Sequence, residues 1–120
     1  MVNEKVINNT NQFIPEDFII SALLSLNSHL DWHILFDLSE HEKTFIELVK
    51  DLGIEDKKLE YHIEKLLKNG IITHYYRNEF LNPNYSFYAL SNLGRKIIEN
   101  INRIVNFSDK QTELKKKTRV

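Results

Sequence analysis

The chain has no cysteine, which excludes a disulfide framework, a thiolate metal site and a cysteine nucleophile together. It has only three glycines and two prolines. A glycine-rich phosphate loop is therefore absent, as are a nucleophile elbow and a His-Glu-x-x-His pattern, so neither an enzyme nor a cofactor is expected. No apolar run approaches the roughly 20 residues that a membrane-spanning helix needs. The start, Met1-Val2-Asn3-Glu4-Lys5, lacks the charged-then-apolar order of a signal peptide, and a cytoplasmic location is expected. An excess of either charge is missing too: the net charge is -1. A chain that is basic all over is thereby excluded, but a sum does not fix how charge is distributed over faces.

What remains is a one-domain length of 120 residues, 42% apolar and 28% charged, the balance of a folded globular protein. Residues 1–13 are polar, Asn-rich and without period, and are expected to form a flexible arm. Pro15 followed by Glu16 and Asp17 marks a helix start, and Phe18 to Leu26 is apolar around most of its circumference. Ser28 and Asp31 form a capping pair for a second helix carrying Trp32, Leu35, Phe36 and Leu38. Ser39-Glu40-His41-Glu42 fits a further capping box, before a helix with the stripe Phe45, Leu48, Val49, Leu52 and a stop at Gly53. Another helix begins near Asp56, bears Leu59, Ile63, Leu66 and Leu67, and closes at Asn69-Gly70. Two helices joined by a tight Gly-containing turn make a helix-turn-helix.

The period then changes. Ile71 to Arg77 and Tyr85 to Leu90 read as strands on either side of an Asn- and Pro-containing turn, Asn78 to Asn84. Ser91 caps a last helix with Leu93, Ile97, Ile98, Ile101, Ile104 and Val105, and lysines crowd the terminus.

Three segments resemble the winged helix-turn-helix regulators of the ArsR, MarR and PadR type. Glu47-Leu48-Val49-Lys50-Asp51-Leu52-Gly53-Ile54 is similar to their second helix and turn. Leu59-Glu60-Tyr61-His62-Ile63-Glu64-Lys65-Leu66-Leu67-Lys68-Asn69-Gly70 is similar to their recognition helix. Tyr88-Ala89-Leu90-Ser91-Asn92-Leu93-Gly94 is similar to their closing strand. The Asn, Ile and Lys content resembles small archaeal members. The fold so implied is mainly α with a small β-hairpin wing and extra N- and C-terminal helices. It spans residues 14–108, with the helix-turn-helix at about 40–69, the wing at about 70–90, the C-terminal helix at about 92–108, and a basic tail at 109–120. One departure is Glu55-Asp56-Lys57-Lys58 at the start of the recognition helix, where the family commonly has Ser, Thr or Pro.

The resemblance implies double-stranded DNA as partner, a sequence-specific regulator, most simply a repressor, and a homodimer with the recognition helix in the major groove. On a helical projection Lys57, Lys58, Tyr61, His62, Lys65 and Lys68 fall opposite the apolar stripe, with Glu60 and Glu64 at one flank. Those six are the expected DNA contacts, joined by Lys43 and Thr44 from the preceding helix and Arg77 from the wing. Phe18, Ile19, Leu23, Ile97, Ile101 and Ile104 are the expected dimer surface. His29, His33 and Asp37 share a helix face at metal-ligand spacing, which a polar helix edge explains equally, and no metal is assigned. The alternative is a winged-helix module that docks a protein and does not bind DNA specifically.

Overall fold

The structure, a computed structural model, describes residues 6–7, 13–77 and 86–118. In chain order the elements are β1 (Val6–Ile7), β2 (Phe13–Ile14), α1 (Glu16–Ser25), α2 (His29–Leu38), α3 (Phe45–Leu52), α4 (Asp56–Lys68), β3 (Ile72–Tyr76), β4 (Ser86–Leu90) and α5 (Asn92–Thr118). The expected architecture, mainly helical with one hairpin, is the observed one.

Several boundaries differ for identifiable reasons. The expected arm contains β1, which pairs antiparallel with β2. The capping box at Ser39 does not form. Ser39 still donates its N–H to Leu35 and closes α2 as its C-cap. The box that starts α3 is Thr44 with Glu47: the threonine hydroxyl accepts from the Glu47 N–H, and the Glu47 carboxylate accepts from the Thr44 N–H at 2.8 Å. The last helix runs to Thr118, beyond the expected end at 108. The asparagine-rich wing turn, 78–84, the expected strand start Tyr85 and residues 119–120 of the basic tail lie outside the described residues, as does most of the 1–13 arm.

The core gathers one stripe from each element: Ala22 and Leu26, then Ile34, Leu35 and Leu38, then Leu48, then Leu59, Ile63 and Leu66, closed by Ile71, Ile72, Leu90, Ile97 and Ile98. Gly53 ends α3 in the left-handed conformation, φ 62°, and lets α4 start after two more residues. β3 and β4 pair in register from Ile72 opposite Leu90 to Tyr76 opposite Ser86. Lys43 adds a one-residue bridge to that hairpin, exchanging both backbone hydrogen bonds with Tyr88.

The junction of hairpin and last helix explains the Leu-Ser-x-x-Gly run. The Ser91 hydroxyl lies 2.7 and 2.9 Å from the carbonyl oxygens of Gly70 and Ile71 and accepts from the Gly94 N–H. Gly94 sits where a Cβ would collide with the Ile71 carbonyl oxygen. Helix propensity alone would favour alanine there by about 1 kcal/mol. Overpacking against backbone costs about 1–3 kcal/mol and should win. Gly94→Ala is accordingly expected to lower the midpoint of thermal or urea unfolding. An unchanged or raised midpoint would show that the strand end gives way freely.

Candidate nucleic-acid interface

α4 is the second helix of the helix-turn-helix, and its burial decides what it can present. Leu59, Ile63 and Leu66 are buried, whereas Lys57, Lys58, Glu60, Tyr61, Glu64 and Lys68 are exposed. Tyr61 is 65% exposed and its ring meets the His62 ring edge-on at 5.2 Å. None of Lys57, Lys58 and Lys68 makes an ion pair with a described residue.

Two residues expected on that outward face are elsewhere. His62 Nδ1 lies 2.8 Å from Asp31 Oδ1, and Lys65 Nζ donates to Asp31 Oδ2 at 2.7 Å and to Asn27 Oδ1 at 2.9 Å. Both side chains are mostly covered. They turn to the flank of α4 that packs on α2, because a carboxylate in the core requires partners. Asp31 itself is fully buried. It also closes the α2 capping box, accepting from the Ser28 N–H and hydroxyl. Burial alone would raise its pKa, but the hydrogen bonds from Lys65, His62 and Ser28 outweigh that and hold the carboxyl below its ordinary range. The sequence carries a signal for this: Asp31 stands one turn before Ile34 and Leu35 on the stripe that ends at Leu38. An acid on a core stripe calls for a cation opposite.

Lys43 also departs from expectation. Its side chain is 5% exposed and its Nζ meets Asp37 at 2.7 Å, Asp51 at 2.8 Å and Glu40 at 3.1 Å. It belongs to the loop before α3 rather than to a helix, and it is not free for phosphate. Burial opposes its charge, yet the three acids together raise its pKa above the ordinary lysine value. Burial pushes Asp37 up; Lys43 opposes this and the nearby Asp51 adds to it. Thr44 is half-buried and occupied by its capping box.

Arg77, expected as the last residue of the first wing strand, directly follows β3. It pairs with Glu42, and its guanidinium lies 4.5 Å above the Phe87 ring. Both contacts hold it at the end of the hairpin remote from Ile72 and Leu90, on the side away from the stacked pair His74 and Tyr88, whose rings are 4.4 Å apart. Between α4 and the wing lies a shallow trough lined by Phe45, Glu60, Ile63, Glu64, Leu67 and Tyr88.

The expected dimer surface divides. Ile97 is buried within the chain's own core, and Ile101 is half-buried. Phe18 lies over Gly70, with its ring in the space a Cβ would take. Leu23 and Ile104 are exposed, as are Val105 and, outside the expected surface, Ile20, Leu24 and Phe107. Ile19, Leu23, Trp32, Leu93, Ile97 and Ile101 line an open apolar groove of about 460 Å³ between α1, α2 and α5. His29 and His33 are exposed, their rings 6.4 Å apart, but Asp37 is engaged by Lys43. No group of three metal-ligating side chains occurs among the described residues. No described helix is long and apolar enough to cross a membrane.

Residues 33–74 match the family model of the bacterial regulatory protein arsR family, a helix-turn-helix, covering most of α2 through the start of β3. HlyU from Vibrio cholerae is similar in structure, with a TM-score of 0.63 at 21% identity over 76% of this chain and 97% of that one. A MarR-family protein from Enterococcus faecalis gives 0.66 at 22% identity over 89% and 96%. The reduced form of the transcriptional regulator YodB from B. subtilis gives 0.65 at 20% over 80% and 92%. No curated protein matches the sequence. The shared property is the fold, a winged helix-turn-helix.

The Asp31 hub yields a test. Its carboxyl is held below the ordinary value of 3.8, so its contribution is fully present above that pH and is lost as pH falls through the lower folded value. Asp31→Asn should cost about 3 kcal/mol at neutral pH, as breaking a buried ion pair does. The gap to the parent should narrow in acid. Equal unfolding midpoints at neutral pH would show that the network contributes nothing net.

Proposed function

We propose that this chain is a double-stranded-DNA-binding transcriptional regulator that works as a homodimer, with α4 in the major groove. The observation that carries it is the exposed stripe of Lys57, Lys58, Tyr61 and Lys68 on the second helix of the helix-turn-helix, whose lysines make no ion pair with a described residue. Those cations supply phosphate contacts, and Tyr61 supplies a hydroxyl for a base edge or phosphate. The net charge of -1 is compatible with this face. Asp31, Asp37, Glu40, Glu42 and Asp51 are tied into ion pairs inside the molecule or along its edge. A backbone-positioning role for Arg77 and Thr44 requires them to exchange their contacts with Glu42 and Glu47 for phosphate. A domain this small has little surface with which to recruit polymerase, so repression by occupying a promoter is the simpler mode. The arsR-family match across α3 and α4 supports the same assignment.

Affinity for duplex DNA, measured at two salt concentrations, tests this directly. Binding should weaken steeply as salt rises, through release of condensed counterions. Lys57→Ala with Lys58→Ala should flatten the slope by about one for each phosphate no longer neutralised, without unfolding the domain. Absence of binding at low salt would refute the proposal and leave the protein-docking alternative.

Dimerisation rests on apolar exposure that a small monomer rarely carries. Ile20, Leu23 and Leu24 on α1 and Ile104, Val105 and Phe107 on α5 are all at least 47% exposed, and the α1–α5 groove lies among them. A two-fold pair through these helices sets two α4 helices about 34 Å apart, one DNA turn, and favours a palindromic site. Sedimentation at micromolar concentration should show a dimer, and Leu24→Glu should shift it to monomer with a folded spectrum. A monomeric parent would overturn the dimer.

A further inference from the structure

The line of α4 most directly opposed to Leu59, Ile63 and Leu66 runs Lys57, Tyr61, Glu64, Lys68, and all four are exposed. An acid at the wing-side edge of a face turned toward DNA needs a physical account. Glu64 makes no ion pair or hydrogen bond with a described residue, although Lys68 stands one turn later at the spacing where such pairs form. Resting on the assignment of α4 to the major groove, we propose that Glu64 is a specificity-determining residue that accepts a hydrogen bond from the N4 amino group of cytosine.

The choice of partner follows from what a carboxylate can do. Ionised, it only accepts, and a phosphate repels it. In the major groove guanine presents the acceptors N7 and O6, and thymine presents O4 and a methyl group. Adenine offers its N6 donor beside the N7 acceptor, which opposes a carboxylate lying across both. Cytosine presents N4 as a donor with no acceptor next to it. The paired guanine then offers O6 and N7 to a lysine, and Lys57 and Lys68 stand on either side of Glu64 along the same line. Glu60 differs in placement. Both acids line the trough beside the wing with Phe45, Leu67 and Tyr88, but Glu60 stands about 40° further round the helix from the outward line than Glu64 does. Burial raises the Tyr88 hydroxyl pKa, with Tyr76, Glu60 and Glu64 adding to it, which places both acids near the wing side of α4. Only Glu64 also reaches the outward line.

The test is selection of duplexes from a random pool by the full chain, followed by competition at one fixed salt concentration. The parent, Glu64→Gln and Glu60→Gln are compared. The parent should select cytosine at one position of the half-site, with about a tenfold loss for another base there, within the range for one mismatched pair. Glu64→Gln should move that preference to adenine, since a glutamine amide can accept from N6 and donate to N7. Glu60→Gln, which removes the same charge, should keep cytosine. If Glu64→Gln selects the parent's sequence and differs in affinity alone, the acid acts through charge and the inference falls. If none of the three selects any duplex even at low salt, the DNA-binding assignment itself falls, a separate and recognisable result.

Discussion

Asp31 is a carboxylate without access to solvent, set among the aliphatic side chains of the core, and the position of α4 depends on how that charge is satisfied. Isolated, such a group would be too costly to bury and would take up a proton instead. Here it accepts from its own N-cap and from His62 and Lys65 on α4. Hydrophobic contact between α2 and α4 is not directional and would tolerate a range of rotations. Charge-assisted hydrogen bonds from two successive turns of α4 tolerate far fewer. α4 is thus fixed in rotation about its own axis, which determines which residues stand on its outer line.

A second buried charge does the corresponding work for the wing. Lys43 carries its backbone into a bridge with Tyr88 and its ammonium into the acids of α2 and α3. One residue therefore joins the C-terminal end of α2, the last turn of α3 and the middle of β4. The opposite end of the hairpin is held by Ser91, whose hydroxyl meets the carbonyl groups that end the α4 connection, and by Gly94, which lets α5 approach that backbone. Helix and wing are each referenced to α2 by a polar contact and to one another by Ile71, Ile72 and Leu90 in the core.

Much of this is legible in the chain because it is periodic. The stripes of α3 and α4, the Gly53 stop and the switch to β-branched and aromatic residues after Gly70 need only local rules. Local rules do not choose between equal signals, and they do not identify neighbours. Ser39-x-x-Glu42 and Thr44-x-x-Glu47 are equally good capping boxes on paper. The second forms because α2 is still donating to its own carbonyls at Ser39, and because Lys43 is drawn to Tyr88, forty-five positions away in sequence. A helical projection separates the two faces of α4 but cannot say which element lies over its flank, so it groups His62 and Lys65 with Lys57 and Tyr61. The long C-terminal extension of α5 escapes it because apolar periodicity ends near Phe107 while helical backbone continues without it.

On the proposed DNA-binding role, the same contacts that orient α4 also limit what it could read. Of the six side chains that a projection sets opposite its apolar stripe, His62 and Lys65 are engaged by Asp31, leaving Lys57, Lys58, Tyr61 and Lys68. Lysines position a helix against phosphates more readily than they discriminate bases, because a flexible ammonium has no fixed fork. A face of lysines and one tyrosine would bind many sequences nearly alike. Discrimination has to come from a group that some base edges reject, and on this face the carboxylate of Glu64 is the group with that property. Its cost in long-range attraction is one charge among several cations. Its proposed effect is confined to a single base pair. A rigidly rotated helix is the condition for that trade to work, since a carboxylate free to swing toward phosphate would only repel.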